Sequence, residues 1–304
     1  MALILLSLLS FSLNSQALSG QNSQGGDRSD AIILPSLQWG ILKSVRPILD
    51  IGEHSFAGPA DMWEPDYGFL VQSTDPASYA LNFPTTGANG LYFDFIIMGE
   101  ASELTWGAPV THEGITATVT RKRECNNEGY VEFRVTLTGP EARTQWRDPY
   151  PNQITVPRLP QTFELVGRDS NDNEVVRYGF VLRQWFVNRG RPWSWTFPEV
   201  LAWCNSLGYR MSRVRDLTNS NYHNLGATPS SSVNHYTRHI GAGFLSEWGY
   251  VNWYTGNSDF ADNLYWATDA TGSNSFLIYS LNGQVLTPSS SSGRSGNYGV
   301  CTAP

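Results

Sequence analysis

The stretch from Thr196 to Gly208 leaves this chain little choice of local structure. Thr196 and Glu199 have the Thr-x-x-Glu spacing by which a cap residue and the third helical residue satisfy each other's orphan amides. Pro198 is tolerated in a first helical turn. Val200, Trp203, Cys204 and Leu207 then recur at i, i+3, i+4 and i+7, one face of a helix, and Gly208 suits the left-handed residue that ends it. Cys204 is therefore predicted to face a core. The only later cysteine is Cys301. If the two pair, the closed loop is roughly a hundred residues long, for which chain entropy gives about 4 to 5 kcal/mol. The alternative is two unrelated buried thiols, and compartment decides, because disulfides persist where the surroundings are oxidising.

Export is written at the start of the chain. Residues 2–13 are short and apolar, too brief to span a bilayer, and Ser15-Gln16-Ala17 is a small-x-small cleavage pattern. The expectation is a secretory signal peptide over 1–17, cut after Ala17, although its first residues lack Lys and Arg. Residues 18–31 are Ser, Gly, Gln, Asn and Asp with little to bury, and read as a flexible lead-in. Structure is expected from Ile32.

The 304 residues suffice for two domains. With 40% hydrophobic, 13% aromatic and only 15% charged residues, the chain is folded and rich in strands rather than disordered. Its net charge of −7 is uneven, with 12 basic and 21 acidic groups in 1–180 against 8 and 6 in 181–304. No run of Lys and Arg interleaves with aromatics, so nucleic acid is excluded as a partner.

Strand patterns fill 32–182. Leu91–Met98 is a compact apolar run, and Ile115, Ala117 and Val119 alternate with threonines. Val131, Phe133, Val135 and Leu137 then alternate with polar residues across the turn 124–129, a hairpin with one wet face. A second hairpin spans 162–169 and 174–182. Together they predict an antiparallel, immunoglobulin-like β-sandwich. Residues 140–160 hold five prolines and read as a long irregular connection. From Trp185 onward the composition changes. Seven of the eleven tryptophans fall there among Gly, Ser and Asn, and Asn282-Gly283 marks a last hairpin before a strand ending at Cys301.

The carboxy-terminal part resembles the C-type-lectin-like adhesion modules of bacterial intimin and invasin-type outer-membrane adhesins. The residues that carry the likeness are the helix with Cys204, Leu207-Gly208-Tyr209-Arg210-Met211-Ser212, Asp216-Leu217, Ser246-Glu247-Trp248-Gly249, Tyr265-Trp266-Ala267-Thr268-Asp269, Tyr279-Ser280-Leu281-Asn282-Gly283 and Tyr298-Gly299-Val300-Cys301. The hairpin at 162–182, running into Arg183-Gln184-Trp185-Phe186, resembles the immunoglobulin-like domain that abuts such a module. Met211-Ser212-Arg213 departs from the Leu-Pro-Ser/Thr turn frequent in that family. The resemblance implies a mixed fold, with the sandwich at 32–182 and an α+β lectin-like domain at 183–304. It places Cys204 and Cys301 at the family's bridged positions. It also implies adhesion and virulence: a secreted or outer-membrane surface protein of a Gram-negative bacterium that binds a host surface protein or glycan. With no β-barrel of its own, the chain would be released, docked on an outer-membrane anchoring partner, or a detached fragment of a larger adhesin.

For binding, Trp253 and Tyr254, with Asn252, Thr255, Asn257 and Asp259, make an aromatic and polar loop suited to a receptor, and core packing is the competing account. Trp193 and Trp195, flanked by Arg189 and Arg191, share that ambiguity. Catalysis finds no footing: there is no Gly-x-Ser-x-Gly, and paired carboxylates cannot be chosen among the six acids after 180. A formylglycine-generating type of enzyme, which shares a lectin-like fold, would need reactive cysteines or a metal site beyond Cys204 and Cys301. No cofactor or metal is expected. The calcium and sugar motifs of true C-type lectins are absent, and Asp259, Asp262 and Asn263 read as a polar loop. Asp169-Ser170-Asn171-Asp172-Asn173 lacks the sixth-position glycine of a calcium loop and reads as a hairpin turn, while His235 and His239 have no third ligand. Cys125 is the odd cysteine, either free or bridged to another chain. A glycan-binding module of a periplasmic or secreted assembly is the rival to a protein-binding adhesin.

Overall fold

The computed structural model describes residues 40–49, 53–99, 101, 103–122, 129–190, 194–254, 258–271, 274–289 and 297–303. The leader with Ala17, the lead-in, Ile32, Cys125, Arg191, Trp193, Thr255, Asn257 and the serines beyond 289 lie outside the described residues.

Eleven described strands precede residue 183: β1 (Ile41–Arg46), β2 (Trp63–Glu64), β3 (Gly68–Leu70), β4 (Thr86–Ala88), β5 (Tyr92–Met98), β6 (Thr105–Trp106), β7 (Val110–His112), β8 (Ile115–Arg121), β9 (Tyr130–Thr138), β10 (Gln161–Arg168) and β11 (Glu174–Leu182). Seven form one antiparallel sheet in the order β2-β3-β1-β5-β9-β8-β7, and β11-β10-β6 form a second. Both hairpins read from alternation are present: β8 pairs with β9 in the register Ala117↔Leu137, and β10 with β11 in the register Phe163↔Phe180. The period of two sends Phe93, Phe95, Phe133 and Val135 inward, and Phe93 and Phe95 there meet Tyr178 and Phe180 of the other sheet. Phe95 packs 5.3 Å from Tyr178, and Phe93 5.9 Å from Phe180, between ring centroids.

The opposite face of the larger sheet is not simply wet. Asp94 and Glu132 are nearly buried there, and Lys122 Nζ bridges them at 2.8 and 2.7 Å. Arg134 joins Asp94, and Arg46 joins Glu132. These pairs lie on facing strands, where long basic side chains can lie flat across the sheet.

The second half contains β12 (Gln184–Arg189), α1 (Phe197–Ser206), β13 (Arg210–Met211), α2 (Val214–Leu217), α3 (Phe244–Trp248), β14 (Leu264–Thr271), β15 (Asn274–Tyr279), β16 (Val285–Leu286) and β17 (Asn297–Thr302). The helix α1 starts as its residues dictate, since the Glu199 carboxylate accepts both the Thr196 N–H and hydroxyl at 2.7 Å. Val200, Trp203, Cys204 and Leu207 are fully buried, and Gly208 closes the helix at φ +87°. Cys204 is bonded to Cys301 of β17, with Cα atoms 5.5 Å apart. A sheet in the order β16-β15-β14-β17-β12-β4 supports this helix, with β13 also on β17. It is mixed: β14 with β17 and β12 with β4 run parallel. The chain is thus a β-sandwich of immunoglobulin-like build followed by an α+β lectin-like module.

Loops of the second module are held from within. The buried Asn219 side chain accepts from Thr237 N and Ser246 Oγ, each at 3.0 Å, and donates to the Pro229 and Thr237 carbonyls. One amide thereby joins three loop segments.

The two halves do not meet as beads on a string, because β4 leaves the sandwich to join the second module's sheet. Residues Leu37–Pro304 form one compact unit. At the seam, Trp185 lies against Gly87 and Gly139, where an added Cβ would sit 2.9 and 2.6 Å from its ring, so only glycine admits the indole. The Trp185 Nε1 donates to the Pro140 carbonyl. Beside it, Glu247 of α3 is fully buried. Its carboxylate accepts from the backbone N–H and hydroxyl groups of both Thr85 and Thr86 and from Gly241 N, at 2.5 to 3.1 Å. Burial outweighs these donors and holds its pKa above the ordinary carboxylate value. No helix among the described residues is long and apolar enough to cross a membrane.

Two outcomes follow from this architecture. Replacing Cys204 and Cys301 by Ser should lower unfolding stability by about 4 to 5 kcal/mol, the entropy of a loop of roughly a hundred residues. Urea melts read this, and a loss under about 1 kcal/mol would contradict the account. Glu247→Gln turns an amide N–H₂ toward backbone donors that cannot reverse, leaving at least one unsatisfied at about 1 to 3 kcal/mol. Because the folded pKa is raised, the native state binds more protons in the window just above the ordinary carboxylate value. Wild-type stability should therefore fall as pH rises through that window, and the Gln variant should lose this slope.

Candidate functional site

The loop predicted to contact a receptor begins with a single 3-10 turn, Val251–Trp253. Such a turn puts positions i and i+3 on one side. Val251 and Tyr254 accordingly point inward at 1% and 0% exposure, and Trp253 points outward at 41%. Tyr254 belongs to the core. Its ring stands 5.0 Å from Tyr92 and 5.8 Å from Trp248, and its hydroxyl accepts Ile48 N–H at 3.0 Å. Burial raises its pKa well beyond the usual phenol. Tyr254 thus joins the second module to β5 and offers no surface to a partner, so packing took the residue that the sequence pairs with Trp253 as a contact.

Trp253 has different neighbours. Its ring lies 6.2 Å from that of Tyr250, whose hydroxyl takes a hydrogen bond from Asn252 Nδ2 at 3.4 Å and bonds the exposed Asp262 carboxylate. Burial first, and then that carboxylate, push the Tyr250 phenol above its ordinary range. The exposed indole therefore rests beside an anchored ring, with an amide and a carboxylate at hand. Such a face can stack on an apolar or ring surface and offer both a donor and an acceptor. Residue types and spacing single out Trp253 and Asn252. Tyr250 and Asp262 emerge only once the loop folds back, because nothing local links positions twelve residues apart.

Asp259 adopts φ +51° and sits apart from that cluster, with its carboxylate 2.7 Å from Arg143 and its carbonyl accepting Asn188 Nδ2 at 2.8 Å. It ties the loop to the proline-rich connection. Arg189 likewise serves the interior: it is 1% exposed, its guanidinium lies 3.7 Å over Trp195, and it donates to the Trp146 and Glu199 carbonyls. Burial draws its pKa down to about 10.

The turn at Asp169 is a turn. One carboxylate oxygen accepts Asn171 and Asn173 N–H and the other accepts Asn173 Nδ2, which holds the acid below its usual pKa. His235 and His239 lie in an irregular segment, each Nδ1 within 2.9 Å of the following residue's carbonyl. Among the described residues no group of three or more His, Cys, Asp or Glu is placed to share a metal ion.

No protein-family model and no curated protein matches the chain. Solved structures do. Invasin, described as a bacterial integrin-binding protein, is 15% identical with a TM-score of 0.47, over 74% of this chain and 36% of its own. An intimin mutant of EHEC O157:H7 is 12% identical with a TM-score of 0.38, over 73% of this chain and 88% of its own. Intimin in complex with Tir90 is 10% identical with a TM-score of 0.40, over 86% of this chain and 98% of its own. The chain thus spans about a third of the length of the invasin it matches.

The placements separate surface from core by experiment. Trp253→Ala and Asp259→Asn, whose amide side chain tolerates the positive φ there, should each shift unfolding stability by no more than about 1 kcal/mol, the ordinary scale for an exposed side chain and a half-exposed ion pair. Tyr254→Ala should cost about 3 to 5 kcal/mol, as for other buried aromatics. Equal losses for all three would mean that the turn faces the other way.

Proposed function

We propose that this chain is an exported, non-enzymatic adhesin that binds a host surface receptor through its second module, with the sandwich as a stiff mount. The observation that supports it most is the Cys204–Cys301 bridge, which ties α1 to the last strand where the sequence resemblance implies it. A loop-rich module clamped in this way keeps its surface shape without a large helical core, and the bridge itself suits an oxidising compartment. The seam at Trp185 and Glu247 adds the second requirement of an adhesin, that load on the tip passes into the mount without a hinge. In this reading the leader is cleaved after Ala17, residues 32–182 are the mount, 183–304 carry the contact surface, and Trp253 contributes to it.

Adhesion is tested with the oxidised full chain on beads, applied to cultured mammalian cells. Saturable binding that soluble chain competes away supports the reading, and its loss after protease treatment of the cells marks a protein receptor. Loss after periodate treatment instead marks a glycan. Trp253→Ala should reduce binding at least severalfold with its melting temperature unchanged. No saturable binding on any cell type tried would sink the proposal.

A further inference from the structure

The proline-rich connection between β9 and β10 carries the most exposed large hydrophobic side chain among the described residues, Tyr150 at 79%. It sits between Pro149 and Pro151, on a loop bound at both ends. Gln145 Oε1 accepts Asn152 N–H at 2.7 Å, and Gln145 Nε2 donates back to the Asn152 carbonyl at 3.3 Å. This reciprocal pair pinches residues 146–151 into a closed loop. Inside it, Asp148 N–H reaches the Gln145 carbonyl, and the Asp148 carboxylate accepts Tyr150 N–H at 2.9 Å, an Asx turn.

The base of the loop is bolted to the second module. Trp203 Nε1 donates to the Gln145 carbonyl, Trp146 Nε1 to the Asn188 carbonyl, and Arg189 Nε to the Trp146 carbonyl. Pro151 is buried. Arg147, Asp148, Pro149 and Tyr150 are nonetheless all exposed. So much restraint on a segment whose tip buries nothing has no use in folding the tip itself. Its effect is to fix the backbone from which an aromatic ring and a cation project into water.

We propose that residues 147–150 form a preorganised docking knuckle, whose Tyr150 ring inserts into an apolar socket on a protein partner. A tip ring that is 79% exposed has little of its own protein behind it and suits insertion as a knob, whereas a stacking platform for a sugar keeps one face packed on its own protein. Tyrosine and arginine are enriched among the residues that anchor protein interfaces, and a loop whose backbone is ordered beforehand loses less entropy on docking. Arg147, beside the ring, finds its acceptor on the socket's rim. This deepens the adhesin reading and rests on it for the partner's class, and it adds a contact surface outside 183–304.

The test uses purified, oxidised full chain as bait for a random peptide library displayed on phage, so it fails separately from cell adhesion. Enriched peptides are measured against wild type, Tyr150→Ala, Gln145→Ala and Leu81→Ala. The expected result is binding at least tenfold weaker to Tyr150→Ala, severalfold weaker to Gln145→Ala, and unchanged for Leu81→Ala, an exposed side chain of the sandwich, with the melting temperature of Tyr150→Ala equal to wild type. Peptides that bind Tyr150→Ala as tightly as wild type, or no enrichment at all, overturn the knuckle. Backbone order parameters of Arg147, Asp148 and Tyr150 should match the rigid-backbone value of about 0.85, and values below about 0.6 overturn its preorganisation.

Discussion

The carboxylate of Glu247 is the point on which the two halves of this protein depend. It is fully buried on α3, yet its hydrogen-bond donors come largely from Thr85 and Thr86, at the start of β4. A buried carboxylate is costly unless its lone pairs are filled, and here five donor groups converge on it. Moving the sandwich relative to the second module would strip those donors while leaving the acid in the dark. Thr86 also opens the pairing of β4 with the second sheet and receives the Trp248 indole N–H, so one residue links strand pairing, ring packing and relative orientation.

Around that anchor the seam is a continuation of the core. Phe83 packs 4.9 Å from Trp248, Tyr254 binds Ile48 N–H, and Arg238 N–H reaches the Phe56 carbonyl. The proline-rich connection adds a second tie on the far side through Trp146, Gln145 and Ile154. A module strapped from two directions transmits force as one body, and that is the mechanical content of the adhesin reading. Its disulfide acts elsewhere: it closes the long loop-rich excursion of the second module and leaves the seam alone.

What could be read beforehand was whatever has a short period. The α1 capping box, its buried stripe with Cys204, the strands of the two hairpins and the Asn282-Gly283 turn are each written in a short contiguous stretch, and each is present in the structure. The short strands β2, β4 and β13 have two or three residues each and no periodicity to betray them. Their existence depends on partners that arrive from far along the chain. Tyr254 fails as a surface residue for a related reason. A 3-10 turn splits neighbours between inside and outside, and sequence alone does not say where the turn begins.

By itself the sequence determined the class of each half, since alternation demands a half-buried sheet and an i, i+3, i+4 stripe demands a helix against a core. It also placed Cys204 on that helix's inner face and Cys301 in the closing strand. The tertiary structure alone decided that β4 would cross to the other sheet, that Glu247 would be buried among threonine donors, and that Tyr150 would be held out in water by the Gln145–Asn152 clasp. These are pairings between residues whose separation in the chain, or whose polarity, carries no local signal. They are settled by which burial leaves the fewest polar groups unsatisfied once the whole chain has condensed.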